Sequence, residues 1–249
     1  MSAITVVYAL LFYVATIILI GGLAWRVRSY FKTPVPMKIF MAPAPLTPSG
    51  AAYRVGREVF LFESLFKSSK AIWIFAVLFH ACLAVEFISH LRFVVGDVPF
   101  PIIALQPMAL FSGLGLIAGL AGLWARRVLI DRNAYISQTS DHLMLGLIIG
   151  IALAGMAMRY ITHTDIASVK AFMLGLMFFD WQPLPTDFFL LVHLLLVAIL
   201  MIVLPFSKIV HMAGIFFSPS RNQCDDARER RHLADWNAAL DAKREETLQ

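Results

Sequence analysis

The sequence predicts an all-α, polytopic membrane protein with five transmembrane helices, its N-terminus outside and its C-terminus cytoplasmic. Three observations carry this. Hydrophobic residues make up 59% of the 249-residue chain and the mean hydropathy is +0.76, against roughly 45–50% apolar residues in an ordinary soluble domain. Five apolar runs, 4–25, 71–91, 103–125, 142–160 and 188–206, each approach the roughly 20 residues that a hydrocarbon core of about 30 Å demands. Eighteen of the twenty-one Lys and Arg residues fall in alternate connections, on the side that also holds the C-terminus. Cytoplasmic loops are the ones that collect positive charge.

Taken in order, the first run has no basic residue before it and is followed by Trp25-Arg26-Val27-Arg28. It is too long for the apolar region of a signal peptide and lacks the basic start, so it reads as a retained anchor. The loop 26–70 carries eight Lys and Arg residues and belongs inside. Its stretch 33–48 is punctuated by prolines, which remove backbone donors and oppose helix. Its stretch 53–66 mixes Arg54, Arg57 and Glu58 with Val55, Val59, Phe60, Leu61, Leu65 and Phe66. That pattern predicts an amphipathic helix, lying on the inner membrane surface or docking a partner subunit. The second and third runs are joined by a short outer segment with one basic residue, Arg92, and the third and fourth are parted by the charged stretch from Arg126-Arg127 to Asp141. After the fourth run, 169–179 is apolar but too short to span and reads as a helix lying on the outer face. The fifth run keeps its apolar character to Phe217, broken by Pro205, Lys208 and His211. Thirty helical residues extend about 45 Å, so this run is expected to tilt, or to kink at Pro205. The domain reading is a membrane domain over 1–217 and a polar cytoplasmic tail over 218–249. The expected location is the inner (cytoplasmic) membrane. The net charge of +5 follows from the inner-face bias, so no nucleic acid is implied.

Chemistry is concentrated in histidine. His80 and His90 lie on the second run, His193 and His211 on the fifth and its extension. Imidazoles are costly at membrane depth and are seldom found there without a function. Two runs with two imidazoles each can clamp two metal centres, and haem iron takes one axial ligand on each face. The two cysteines, Cys82 in the second run and Cys224 in the tail, form no Cys-x-x-Cys. That argues against an iron–sulfur cluster held by this chain, and the lack of Cys-x-x-Cys-His argues against covalent haem. Two haem b groups are the expectation. The second run leads outward and the fifth inward, which pairs His80 with His211 towards the cytoplasm and His90 with His193 towards the outside. On straight helices the first two would differ by about 15 Å of rise and the last two by about 27 Å, so a tilt or a bend is required. Of the other histidines, His142 reads as interfacial, His163 as exposed and His232 as part of the charged tail.

The spacings His80-x9-His90 and His193-x17-His211 resemble those of the gamma subunit of respiratory nitrate reductase, and the resemblance covers all five runs. The segment from Pro205 to Asn222, with the tail from Asp226 to Asn237, is similar to the DsrM type, the cytochrome b subunits of dissimilatory sulfite-reductase-linked membrane complexes. The resemblance implies a membrane oxidoreductase subunit that exchanges electrons with a quinone (menaquinone or ubiquinone) near the outer haem. It implies a cytoplasmic iron–sulfur partner resembling the catalytic heterodisulfide reductase subunit, where the sulfur chemistry takes place, and further membrane and periplasmic subunits. The rival readings are a nitrate-reductase-gamma-type quinol-oxidising subunit, and a haem-free anchor or proton-coupled transporter.

Quinone chemistry moves protons with electrons, so a titratable side chain is expected beside the outer haem. Glu86, four residues before His90, is the candidate proton relay. Arg92 and Arg159, near the outer rim with Asp97, Gln106 and Asp165, are candidates for the haem propionates. The glycines of the third and fourth runs (Gly113, Gly115, Gly119, Gly122, Gly146, Gly150 and Gly155) predict close helix packing, with clearance for a ring as the alternative.

Overall fold

The computed structural model describes residues 2–35, 38–226, 239–240, 242–243 and 246–247. The tail motif after Asp226, and His232 with it, lie outside the described residues. Among the described residues there are helices and no strand. Five helices are long and apolar enough to cross a membrane: Ala3–Lys32, Lys70–Phe93, Ala109–Leu129, Thr139–Thr162 and Phe188–Phe206. The chain packs as two compact units, one formed by Met1–Gly22 and Ser64–Lys208, the other by Leu23–Glu63 and Ile209–Gln249.

In the first unit, α1 (Ala3–Lys32) buries Thr5, Ala9, Phe12 and Ala15, a single stripe at three- and four-residue spacing. The Tyr8 hydroxyl donates to the Leu191 carbonyl at 2.8 Å and the Tyr13 hydroxyl to the Leu176 carbonyl at 2.9 Å. These polar ends of apolar bodies tie α1 to its neighbours. Beyond the second α-helical stretch, α2 (Pro48–Leu61), and the short α3 (Glu63–Ser68), α4 (Lys70–His90) runs on through a 3-10 turn at Leu91–Phe93. The third span starts later than its apolar run. The short α5 (Phe100–Leu105) ends at a turn before α6 (Ala109–Leu129), because Pro107 has no N–H to continue the ladder and disfavours helix in the residue before it.

Helices α4 and α6 pack most closely of all. A Cβ on Gly119 would stand 2.8 Å from the Phe79 backbone nitrogen, so only glycine lets these two backbones meet. Gly115 and Gly122 face Cys82 and Phe75 in the same seam. After α7 (Asp131–Ile136) comes α8 (Thr139–Ala157), opened by a capping box between Gln138 and Asp141, and a π-helical turn follows at Met158–Thr162.

The short apolar helix α9 (Ile166–Phe178) does form, with one side buried and the other exposed. Phe172 is fully buried, and with Val169 and Leu176 it joins Ala9, Phe12, Leu184, Leu190 and Leu194 in one core cluster. Its N-terminus is capped by Asp165, which accepts from Ala167 N–H at 3.0 Å. The last span, α10 (Phe188–Val203), stops where the sequence places Pro205. Two 3-10 turns, Leu204–Phe206 and Lys208–Val210, flank an extended Ser207, and Pro205 is buried against Gly22.

In the second unit, α2 is capped by Thr47 with Pro48 in its first turn, an arrangement suited to proline's fixed φ. It ends at Phe62, whose φ of 50° is left-handed. The predicted amphipathic helix over 53–66 is therefore two helices, α2 and α3, parted by this residue. The stretch after Thr33 is non-helical where described. It is held by Met41 N–H to the Ser220 carbonyl at 3.1 Å and by Lys38 to Asp226 at 2.5 Å. Arg221, in α12 (Pro219–Asn222), pairs with Glu58 of α2 at 2.9 Å. A cavity of about 640 Å³ lies between α2, Phe216 and Cys224.

Candidate functional site

His80 and His90 sit on α4, His193 on α10, and His211 is the first residue of α11 (His211–Phe217). The structure brings His90 and His193 together. Their ring centroids are 6.4 Å apart and their planes differ by 17°. Each ring has one nitrogen already committed. His90 Nδ1 meets the Glu86 carbonyl at 2.7 Å, and His193 Nδ1 meets the Ile151 carbonyl of α8 at 2.9 Å. A carbonyl only accepts, so in each neutral imidazole Nδ1 carries the proton and Nε2 keeps its lone pair. His80 is set the same way, by the Ala76 carbonyl at 2.7 Å. A hydrogen bond of this kind to the second nitrogen is what orients a metal-ligating histidine.

The seat of His193 depends on Gly155. A Cβ there would lie 3.2 Å from His193 Cε1 and 3.4 Å from Nδ1. Of the glycines, those of α6 serve helix packing and Gly155 clears an imidazole. His80 belongs to the unit that contains the other two helix-borne rings, and His211 to the second unit. The straight-rod rise between His193 and His211 does not apply, because the helix is interrupted between them at Leu204–Val210.

Glu86 lies beside the His90 ring. Its carboxylate approaches Nδ1 to 3.7 Å, and the buried Ser112 of α6 donates to it at 2.6 Å. Arg92 donates to Gln106 at 2.6 Å, and Gln106 in turn bonds the Ile102 carbonyl at 3.2 Å. The Arg92 guanidinium lies 4.8 Å from the Phe93 ring, and Phe93 lies 5.8 Å from the His90 ring. Its Nε is buried without a hydrogen-bond partner. Arg159, on the π-helical turn, is close enough for its charge to repel that of Arg92. Asp165 is a helix cap and Asp97 is exposed, so neither joins this group.

Two other described histidines, His142 and His163, have different surroundings. The Trp124 indole donates to His142 Nδ1 at 2.9 Å, and His163 is exposed at a φ of 51°. Ser112 and the Ile151 carbonyl were not foreseen. Ser112 had a signal, a hydroxyl inside an apolar span; a carbonyl has none.

A model of the nitrate reductase gamma subunit family matches residues 49–221. The chain belongs to that family. All four histidines, Glu86, Arg92, Ser112, Gly155 and Arg159 fall within the matched residues. This gamma-family chain is also similar to the Hdr-like menaquinol oxidoreductase cytochrome b-like subunit of Archaeoglobus profundus, at 32% identity across 95% of this chain and 84% of that protein. The subunit of the same name from Archaeoglobus fulgidus is 31% identical across 91% of this chain and 82% of its own length. With five spanning helices and this family, it is a multi-pass membrane protein.

Proposed function

We propose that the chain is a dihaem cytochrome b subunit of the inner (cytoplasmic) membrane. It relays electrons between the quinone pool and a cytoplasmic iron–sulfur subunit resembling the catalytic heterodisulfide reductase subunit, with the sulfur chemistry in that partner. The observation that carries the reading is the His90–His193 pair. A metal–imidazole bond is about 2 Å long, and the ring centre lies about 1 Å beyond the nitrogen. Two axial imidazoles on one metal therefore have centroids roughly 6 Å apart, close to the 6.4 Å observed. Among the described residues no third His, Cys, Asp or Glu completes a metal site, so a metal held here brings its own equatorial ligands, as haem does. His80 and His211 are proposed as the second pair, supported by the opposite directions of α4 and α10 and by the spacing of the histidines. The N-out orientation is supported by the Lys and Arg distribution.

A bound haem supplies a one-electron carrier. The chain's own part is orientation, charge and proton handling. The Nδ1 hydrogen bonds fix each ring, and Arg92 and Arg159 offer charge suited to propionate carboxylates. Glu86, steered by Ser112, accepts one proton at a time as a quinol gives up electrons. The names of the two relatives support menaquinol as that quinol and an Hdr-like assembly as the setting.

The test is a reduced-minus-oxidised visible spectrum of the purified chain, with haem counted per polypeptide. Two haems are expected. His90→Ala and His193→Ala each abolish one, while His80→Ala and His211→Ala each abolish the other. No b-type band in the wild type refutes the proposal and leaves the haem-free anchor or transporter. The family match equally supports a nitrate-reductase-gamma-type quinol-oxidising subunit, with the same haems and a different partner. Identification of the co-purifying cytoplasmic subunit separates the two.

A further inference from the structure

The α-helix of span five ends at Val203, a 3-10 turn carries the span on to Phe206, and the helical path breaks at Ser207. Ser207 is extended, with φ −96° and ψ 171°. Lys208 then opens the 3-10 turn Lys208–Val210, and that turn leads directly into α11, whose first residue is His211. Lys208 is thus the first residue of this turn and lies three residues before His211.

Lys208 does not simply extend to the membrane surface. Its ammonium donates to Asp141 Oδ2 at 2.8 Å. The same oxygen accepts from Arg127 at 3.3 Å and from the backbone N–H of Gln138 at 3.2 Å. The Asp141 side chain is only 6% exposed, whereas that of Lys208 is 65% exposed. An ion pair with both ends in water holds little. One with a buried acceptor fixed by a helix N-terminus and a second cation has a rigid end, and the flexible end follows it. Asp141 belongs to the first turn of α8 and Arg127 to the last turns of α6, so the rigid end is part of the packed helices.

We propose that Asp141 is a positioning residue for His211, acting through Lys208. It fixes the start of the turn that presents the imidazole, three residues before the ring. This rests on the dihaem reading, in which His211 is an axial ligand. Arg127 braces Asp141 but is not on the path to His211.

The experiment is electron paramagnetic resonance of the oxidised, haem-loaded full chain, in which each bis-imidazole haem gives its own low-field feature, set by the orientation of its two rings. His211→Ala first identifies one feature by its loss. Asp141→Asn and Lys208→Met should then shift that feature and leave the other in place. Asp141→Glu should keep it in place, and Arg127→Met, which leaves the Lys208–Asp141 pair itself intact, should shift it less than Lys208→Met does. Lys208 is largely exposed, so Lys208→Met carries the test if Asp141→Asn fails to accumulate. The positioning role is overturned if Lys208→Met leaves the feature unmoved, or if both features move together. Retention of both features in His211→Ala overturns the dihaem reading itself, and this inference with it.

Discussion

Replacing Gly155 by alanine should move the His193 ring and forfeit the stability that a glycine-to-alanine change in a helix otherwise gains. The ring lies against α8, with its Nδ1 bonded to the Ile151 carbonyl at 2.9 Å. An added Cβ at position 155 would press on it at 3.2 Å from Cε1 and 3.4 Å from Nδ1. Ile151 and Gly155 are one turn apart on the same helix, so the ring cannot retreat from one without straining its bond to the other. Two energies oppose. Alanine in a helix interior gains about 1 kcal/mol over glycine, while an extra methyl in a packed site costs about 1–3 kcal/mol. The net expected is about 0–2 kcal/mol of destabilisation, with the ring displaced by a few tenths of an ångström. Gly21→Ala is the reference, since nothing lies within 4 Å of its added Cβ and only the gain of about 1 kcal/mol should remain. Thermal unfolding in detergent measures the stabilities, and the low-field resonance of the haem proposed between His90 and His193 reports the ring. If Gly155→Ala gains as much as Gly21→Ala and the resonance stays in place, His193 is not seated as described.

Other expectations follow from the same geometry. Under the proposed function, Glu86→Gln should lower quinol-driven haem reduction on the order of 10²-fold without loss of haem, and Ser112→Ala should lower it less; stopped-flow reduction by a quinol analogue measures both. His163 is exposed and left-handed at φ 51°, so His163→Gly should stabilise the protein by roughly 1 kcal/mol, read as a raised thermal midpoint. Asp187 gives a pH dependence. Desolvation pushes its carboxyl up, but hydrogen bonds from Thr164, Thr162 and the backbone of Phe189 and Leu190 outweigh this and hold it below the usual carboxylate range. A depressed folded-state value adds stability above the unfolded value of about 4, and this is lost as pH falls through the folded value. The stability gap between wild type and Asp187→Asn should therefore be constant at neutral pH and shrink below about pH 4; a gap that widens on acidification would contradict it.

The spans and the short helix after the fourth were legible because apolar runs are long-range averages that a single residue does not overturn. The break at Pro205 was legible too, since a missing donor has a local effect. Pro107 has the same chemistry but sits in a run apolar enough to hide it, so the start of α6 was read too early. Phe62 gave no warning, because a left-handed residue in place of glycine is set by its surroundings. The His90–His193 pair followed from counting charges to obtain helix directions. What the pattern did not reveal were the groups that aim the rings. Backbone carbonyls such as that of Ile151 have no sequence signature, and the partnership of Asp141 with Lys208 joins residues 67 apart.

The second unit is sewn together from two distant pieces of chain. Arg221 follows its partner Glu58 by 163 residues, and Ser220, which holds Met41, comes just before it. At a synthesis rate of about 5–20 residues per second, α2 and the strap before it wait roughly 8–30 s for these partners to be made. Through that interval the Glu58–Arg221 and Met41–Ser220 pairs are not yet made. Closure of this unit therefore follows synthesis of Ser220 and Arg221, and proteolysis of nascent chains within residues 38–61 would time it.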